Sequence, residues 1–269
     1  MLKDITLGQY YQTDSIIHRL DPRVKLATTL AFIISLFVFD NVAGYAIAAI
    51  FLVIVIKLSK VPFKFMVKGM KAIVFLILLT VICNLLLTPG EPLVTLWKLT
   101  ITKEGLRIAA LMTVRLSFLI IGSSIMTLTT TPNQLTDAME KMMSPLKKIK
   151  VPVHEIAMMM SIALRFIPIL LEETDKIMKA QIARGADFES GNIFKRAKAM
   201  VPLLVPLFIS AFRRANDLAM AMEARCYRGG EGRTKMKPLI YHKRDYIAYG
   251  CIAAYMVISI VVGRLPFLP

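Results

Sequence analysis

Residues 158–228 read MMMSIALRFIPILLEETDKIMKAQIARGADFESGNIFKRAKAMVPLLVPLFISAFRRANDLAMAMEARCYR. Two long helical patterns run through this stretch. Each ends on an arginine between small residues, Ala183-Arg184-Gly185 and Ala224-Arg225-Cys226. Taken alone, Arg184 is a cation in the last turn of a helix, worth about 0.3–1 kcal/mol with the helix dipole, and Gly185 is its left-handed cap. Arg225 reads the same way, with Gly229-Gly230 stopping the chain soon after. The recurrence 41 residues later adds a second reading, a docking device. Small neighbours let a rigid fork of five donors enter a narrow acidic groove.

The rest of the chain is built mostly for lipid. Hydrophobic residues make up 56% and the mean hydropathy is +0.61, which points to an all-α, polytopic membrane protein. The net charge is +16, from 34 Lys and Arg against 18 Asp and Glu. These charges sit between apolar runs, as cytoplasmic loops that obey the positive-inside rule do. No zinc-finger or RNA-binding signature accompanies them, so no nucleic-acid partner is expected. Cys83, Cys226 and Cys251 form no close pair and read as reduced thiols. His18, His154 and His242 have no metal-ligand spacing, so no metal site is expected.

Residues 1–23 form a polar arm, expected on the cytoplasmic side, with Asp21 as N-cap and Pro22 at the first position of a helix. Residues 24–130 hold four apolar runs: Val24 to Phe39, Val42 to Ile56, Ala72 to Leu87 and Leu106 to Thr130. Between the second and third lies a basic amphipathic segment, 57–71, whose lysines beside Phe63 and Phe65 suit the headgroup level of an anionic leaflet. Trp97 is a candidate interfacial anchor. A fifth run, Tyr246 to Val262, falls within 245–269, the last span and a short tail. About five spans place all the basic stretches on one side, with the N-terminus cytoplasmic and the C-terminus outside the cell membrane. Arg115 lies inside the fourth run, where a charge costs about 2.5–3.5 kcal/mol, so it must face protein or snorkel. A substrate or ion site is one reading; a packing or partner contact, with Asn84 as a candidate partner, is the other.

Residues 131–244 form a coupling region, cytoplasmic or interfacial. Thr131 reads as an N-cap. Ile156 to Leu171, interrupted by Arg165 and Pro168, and Met200 to Phe212, with Pro202 and Pro206, look too short to cross a bilayer. Amphipathic helices in the interface fit them better. Ala211, Ala215 and Ala219, at spacing four on a helix expected from about Leu207, let two backbones approach closely. The methionines from Met158 to Met160 suit an adaptable contact, giving a crossed helix pair.

With these residues in place, the whole chain resembles the transmembrane T subunit of energy-coupling factor (ECF) transporters, ATP-driven importers of vitamins and metal ions. The resemblance rests on Asp14-Ser15, His18 and Asp21-Pro22-Arg23, on Leu164-Arg165-Phe166-Ile167-Pro168, on Ala180-Gln181 before the first triplet, and on Ala221-Met222-Glu223 before the second. It implies that the triplets cap coupling helices and dock into two ABC-type ATPase subunits, while a separate S component captures the substrate. ATP and Mg would be used by the partner ATPases, and no cofactor would bind this chain. Cys226 departs from the family's glycine; its small size is read as what matters.

No phosphate-loop sequence is present, since Gly229-Gly230-Glu231-Gly232-Arg233-Thr234-Lys235 has the wrong order. Nor is there a Gly-x-Ser-x-Gly or His-Glu-x-x-His arrangement, so the chain is not expected to be an enzyme. A stand-alone secondary transporter is the alternative, but it would call for internal repeats and buried acidic ion sites, which the apolar runs lack.

Overall fold

Asp21 and Pro22 start the first helix as their residue types dictate. Pro22 takes an initial position with no N–H to satisfy, and the Asp21 carboxylate accepts the Arg23 backbone N–H at 2.8 Å. The computed structural model describes residues 10–39, 41–71, 73–96, 99–188, 192–230, 232, 234 and 236–264. Trp97, Gly8, Gln9 and the tail from 265 lie outside them. Among the described residues the helices are α1 (Pro22–Ser35), α2 (Val42–Ser59), α3 (Phe63–Lys71), α4 (Val74–Leu87), α5 (Lys103–Thr129), α6 (Pro132–Met142), α7 (Val153–Ala183), α8 (Ile193–Ala224) and α9 (Lys243–Arg264). The loop between α4 and α5 carries a short antiparallel hairpin, β1 (Pro92–Leu96) with β2 (Leu99–Thr102), paired as Val94 to Ile101 and Leu96 to Leu99. It is a minor addition to an all-α polytopic membrane fold.

The chain's described residues divide into two compact units, one within 8–138 and 239–269 and the other within 139–238. In the first, α5 is the hub against which α1, α2, α3 and α4 pack, while α9 packs on α1 and α2. Small residues let the neighbours close in. A side chain at Gly105 would meet the Asn84 carbonyl at 2.9 Å, and one at Gly122 would meet the Phe32 ring at 2.8 Å. The core is Phe32, Leu36, Leu52, Ile121, Ile125 and Tyr255, with Phe51 stacked on Tyr255 at 4.4 Å. The Tyr255 and Ser35 hydroxyls share a hydrogen bond of 2.8 Å. Outside this seam the surface is greasy, as on α4, where Phe75, Leu76, Leu78 and Leu79 are exposed. Such a surface matches lipid as solvent.

Arg115 is buried and faces protein. Its Nε donates to the Tyr45 hydroxyl at 2.7 Å and a terminal nitrogen to the Phe39 carbonyl at 3.4 Å. This geometry favours the packing reading. The Asn84 amide donates to the Thr80 carbonyl of its own helix.

Among the described residues, four helices are long and apolar enough to cross a membrane: α2, α5, α7 and α9. Two features differ from the sequence expectation. Helix α1 has 14 residues, about 21 Å, shorter than a ~30 Å hydrocarbon core, and α4 is equally short. Conversely, α7 continues through Pro168 for 31 residues, about 46 Å, and α8 starts at Ile193 and continues through Pro202 and Pro206. Proline removes one intrahelical bond but its φ is helical, and good helix formers on both sides carry the helix past it.

The polar contacts of the first unit concentrate at helix ends. Asp245, in the first turn of α9, is fully buried. One carboxylate oxygen accepts the Asp21 backbone N–H at 2.9 Å and the other accepts the His242 N–H at 2.7 Å, which ties the starts of α1 and α9 together. Asp21 pairs with Arg23 at 2.8 Å, and the Arg23 guanidinium lies 3.9 Å from the centre of the Tyr241 ring. Burial pushes the Asp21 carboxyl up, but the Arg23 side-chain and backbone hydrogen bonds outweigh it and hold it below its ordinary value. At the C-terminal end of α5, Lys25 Nζ, 4% exposed with its residue, donates to the Thr129 carbonyl at 2.8 Å and the His18 carbonyl at 3.0 Å. The Tyr11 N–H takes the Leu128 carbonyl at 2.8 Å. Lys25 of α1 and Tyr11 of the arm therefore fill two acceptor sites that α5 leaves open. His18 bridges the Tyr11 carbonyl (3.0 Å) and the Ser15 hydroxyl (2.7 Å), which requires Nε2–H and an accepting Nδ1 in the neutral ring. Burial lowers its pKa, which favours that neutral form.

Replacing Asp245 with alanine orphans two buried N–H groups. A loss of about 2–6 kcal/mol is expected from ~1–3 kcal/mol for each. Thermal unfolding in detergent should show a clear fall in Tm for Asp245→Ala and a smaller one for Asp245→Asn, which keeps an acceptor oxygen.

Candidate docking site

The two arginine triplets lie in the second unit, and their local geometry is the same. Arg184 closes α7, its N–H reaching the Ala180 and Gln181 carbonyls at 3.2 and 3.0 Å. Gly185 then turns left-handed at φ +88°. Its N–H takes the Ile182 carbonyl at 2.9 Å, and the Ala186 N–H takes Gln181 at 3.0 Å. This nested pair of bonds is a Schellman closure. At the end of α8 the pattern repeats with every residue 41 positions on. Cys226 sits at φ +55°, its N–H on the Glu223 carbonyl at 2.8 Å, and the Tyr227 N–H reaches Met222 at 3.0 Å. The position after each arginine is therefore selected by backbone sign as well as by side-chain size. For a residue other than glycine that conformation costs about 1–2 kcal/mol.

All six triplet residues, Ala183, Arg184, Gly185, Ala224, Arg225 and Cys226, are exposed. A side chain added at Gly185 would meet nothing within 4 Å. Neither Arg184 nor Arg225 forms an ion pair among the described residues. Each guanidinium thus stands at the negative end of a helix dipole, with small residues on both sides and open space around it.

Behind the tips, α7 and α8 pack on each other. Glu173 and Arg214 pair across them at 3.0 Å, and Arg214 Nε contacts Ser210 at 3.4 Å. Arg165, itself exposed, lines a groove with Phe166, Arg214 and Asp217; Pro168, one turn on, is also exposed. Of the alanines read as a close-packing stripe, Ala211 is half-buried, whereas Ala215 and Ala219 are exposed. The covered face of α8 runs through Leu203, Leu207, Ser210, Arg214, Leu218 and Met222, one residue out of phase with the alanines. Sequence reasoning missed the Glu173–Arg214 link, although opposite charges on neighbouring helical patterns were its only available signal.

The chain after the second triplet folds back within this unit. Gly230 lies so close to the His154 ring that a Cβ there would overlap it, and His154 pairs with Glu140 at 3.1 Å. Thr131 caps α6 as expected, accepting the Gln134 N–H at 3.3 Å while Gln134 returns a bond to the Thr131 N–H at 3.2 Å. The three cysteines are free and exposed. Among the described residues no cluster of His, Cys, Asp and Glu could hold a metal ion.

Apolar helices that leave two matched arginine caps in the open define a polytopic membrane protein. The model of the cobalt transport protein family, CbiQ, matches residues 13–236, from the polar arm through both triplets. The chain is 57% identical over 263 residues to the energy-coupling factor transporter transmembrane protein EcfT of Clostridium kluyveri, covering 97% of each. It is 53% identical to the EcfT of Thermosediminibacter oceani, covering 96% of this chain and 98% of the relative. The EcfT of Bacillus subtilis is 49% identical over 246 residues, 91% of this chain and 93% of its own. The chain belongs to this EcfT family, the transmembrane component of ECF transporters.

Relief of backbone strain supplies a test of the helix-end geometry. Cys226→Gly removes the left-handed cost, less the ~0.5–1 kcal/mol that glycine adds through the unfolded chain, so stability should rise by under about 1 kcal/mol. Gly185→Val incurs the left-handed cost, offset in part by the same unfolded-chain term, so stability should fall by about 1 kcal/mol. Thermal unfolding of the two variants should therefore move Tm in opposite directions.

Proposed function

We propose that this chain couples ATP hydrolysis in partner subunits to substrate release from a separate membrane protein. The observation that carries the reading is the duplicated helix end: two exposed arginines, each at the last position of a long helix, each stopped by the same left-handed turn. Two matched sites suit two related partners. The partners proposed are a pair of ABC-type ATPases, each offering a narrow acidic groove that a guanidinium can fill with charge-assisted hydrogen bonds. A rigid helix behind each arginine would carry motion of its ATPase into the α7–α8 pair. The Glu173–Arg214 bridge would keep the two helices moving together. An S component would bind the vitamin or other micronutrient and tilt in response. ATP and Mg would act in the ATPases, with this chain non-catalytic. The basic side, with Arg19, Arg23, Lys57, Lys60 and the triplets, would face the cytoplasm from the cell membrane, the N-terminus inside and the C-terminus outside.

A stand-alone secondary transporter would use a buried carboxylate as a coupling-ion site. Asp245 is buried at the membrane-helix end, but both its oxygens are held by backbone N–H groups, which suits a structural anchor.

Replacing Arg184 and Arg225 together with alanine should leave the fold unchanged, because both side chains are exposed. Co-purification of ATPase subunits should drop at least ~100-fold, from a loss of about 1.5–3 kcal/mol per charged hydrogen-bonding site, and uptake should cease. Each single variant should retain an intermediate amount. Normal assembly and uptake by the double variant would overturn the proposal.

A further inference from the structure

An apolar cleft of about 330 Å³ opens among α1, α2, α5 and α9, with Ile16, Ile17 and Leu20 of the arm also in its lining, at the lower end of the size of small-molecule sites. Nothing in the coupling role uses it. Its position along the four helices is informative. On α1 the lining runs from Lys25 to Phe32 and on α9 from Arg244 to Cys251, the beginnings of both helices. On α2 and α5 it ends at Leu58 and Thr129, the last turns of both. All four therefore contribute the end that lies on the basic side of the first unit. The cleft spans two helical turns, about 10 Å, measured from that rim into the apolar layer.

The rim is cationic and the interior is not. Arg244 is exposed and makes no ion pair among the described residues. Lys25, deeper, keeps a positive charge beside the cleft while bonded to two carbonyls. Below them the walls are side chains such as Phe32, Ala248 and Cys251. The dimensions decide between occupants. About 330 Å³ over ~10 Å of depth is too narrow for a helix, which is ~10–12 Å across with its side chains. A flexible hydrocarbon chain fits, and in a bilayer leaflet such chains are the solvent that meets an open apolar cleft.

We propose that this cleft is a phospholipid site. One acyl chain of an anionic lipid lies between α1, α2, α5 and α9, and its phosphate sits on Arg244. A single arginine near the headgroups favours an anionic over a zwitterionic lipid by about fivefold. Filling of the cleft would then hold α9 against α1 and α2 next to the Tyr255 core, on the same face of α9 and toward its start.

The test is independent of the docking reading, because it needs no ATPase. The full chain, in nanodiscs of equal phosphatidylglycerol and phosphatidylcholine, is released into native mass spectrometry. One retained phospholipid is expected, with phosphatidylglycerol favoured by about fivefold. Arg244→Gln should keep the lipid and abolish the preference. Ala248→Trp and Cys251→Phe, which fill the cleft, should lose the retained lipid while unfolding remains cooperative; the second variant guards against misfolding of the first. Retention that is absent, indifferent to headgroup in the unmodified chain, or unchanged when the cleft is filled in a folded variant would overturn the proposal. So would loss of a co-purifying subunit from the filled variants with the lipid still bound, since the cleft would then be a protein interface.

Discussion

In a bilayer every polar backbone group must find a partner inside the protein, and helix ends are where the partners run out. This protein answers that constraint at several helix ends. Asp21 and Asp245 supply acceptors for the starts of α1 and α9. Lys25 and the Tyr11 N–H supply donors for the end of α5. Thr102 accepts the Gly105 N–H at the start of α5. The ends of α7 and α8 solve the problem through backbone alone, by folding two N–H groups back onto the last carbonyls. That last solution uses no side chain, which leaves both arginines available to a partner. Structure and the proposed coupling role thus meet in one local geometry.

The hydrophobic effect plays a smaller part here than in a soluble domain. Much of the apolar surface on α4 and α8 stays exposed, because lipid rewards it where water would not. Packing then depends on close approach. Gly105 and Gly122 bring α5 against α4 and against Phe32, and larger residues there would force the helices apart. The buried Arg115 is tolerated because Tyr45 and the Phe39 carbonyl receive its donors.

Much of this was legible beforehand. Composition and run length gave the all-α membrane class, since a bilayer accepts few alternatives. Asp21 and Thr131 announced helix starts because capping is local chemistry between residues two or three apart. The two triplets stood out because they repeat. One helix start was misplaced: the helix expected from about Leu207 begins at Ile193 and runs through Pro202 and Pro206. The alanine stripe misled, since spacing four marks a face of a helix but does not say which face its neighbour chooses.

The sequence by itself determined what each segment could be: a greasy helix, a capped start, an arginine next to a residue able to turn left-handed. These are properties of a few consecutive side chains, so they can be read in order. Only the tertiary structure decided that Asp245 would anchor the start of a helix 224 residues away, or that four helix ends would leave a cleft beneath Arg244. Such pairings depend on how helices pack in three dimensions, and helical periodicity fixes the faces available without fixing which of them meet.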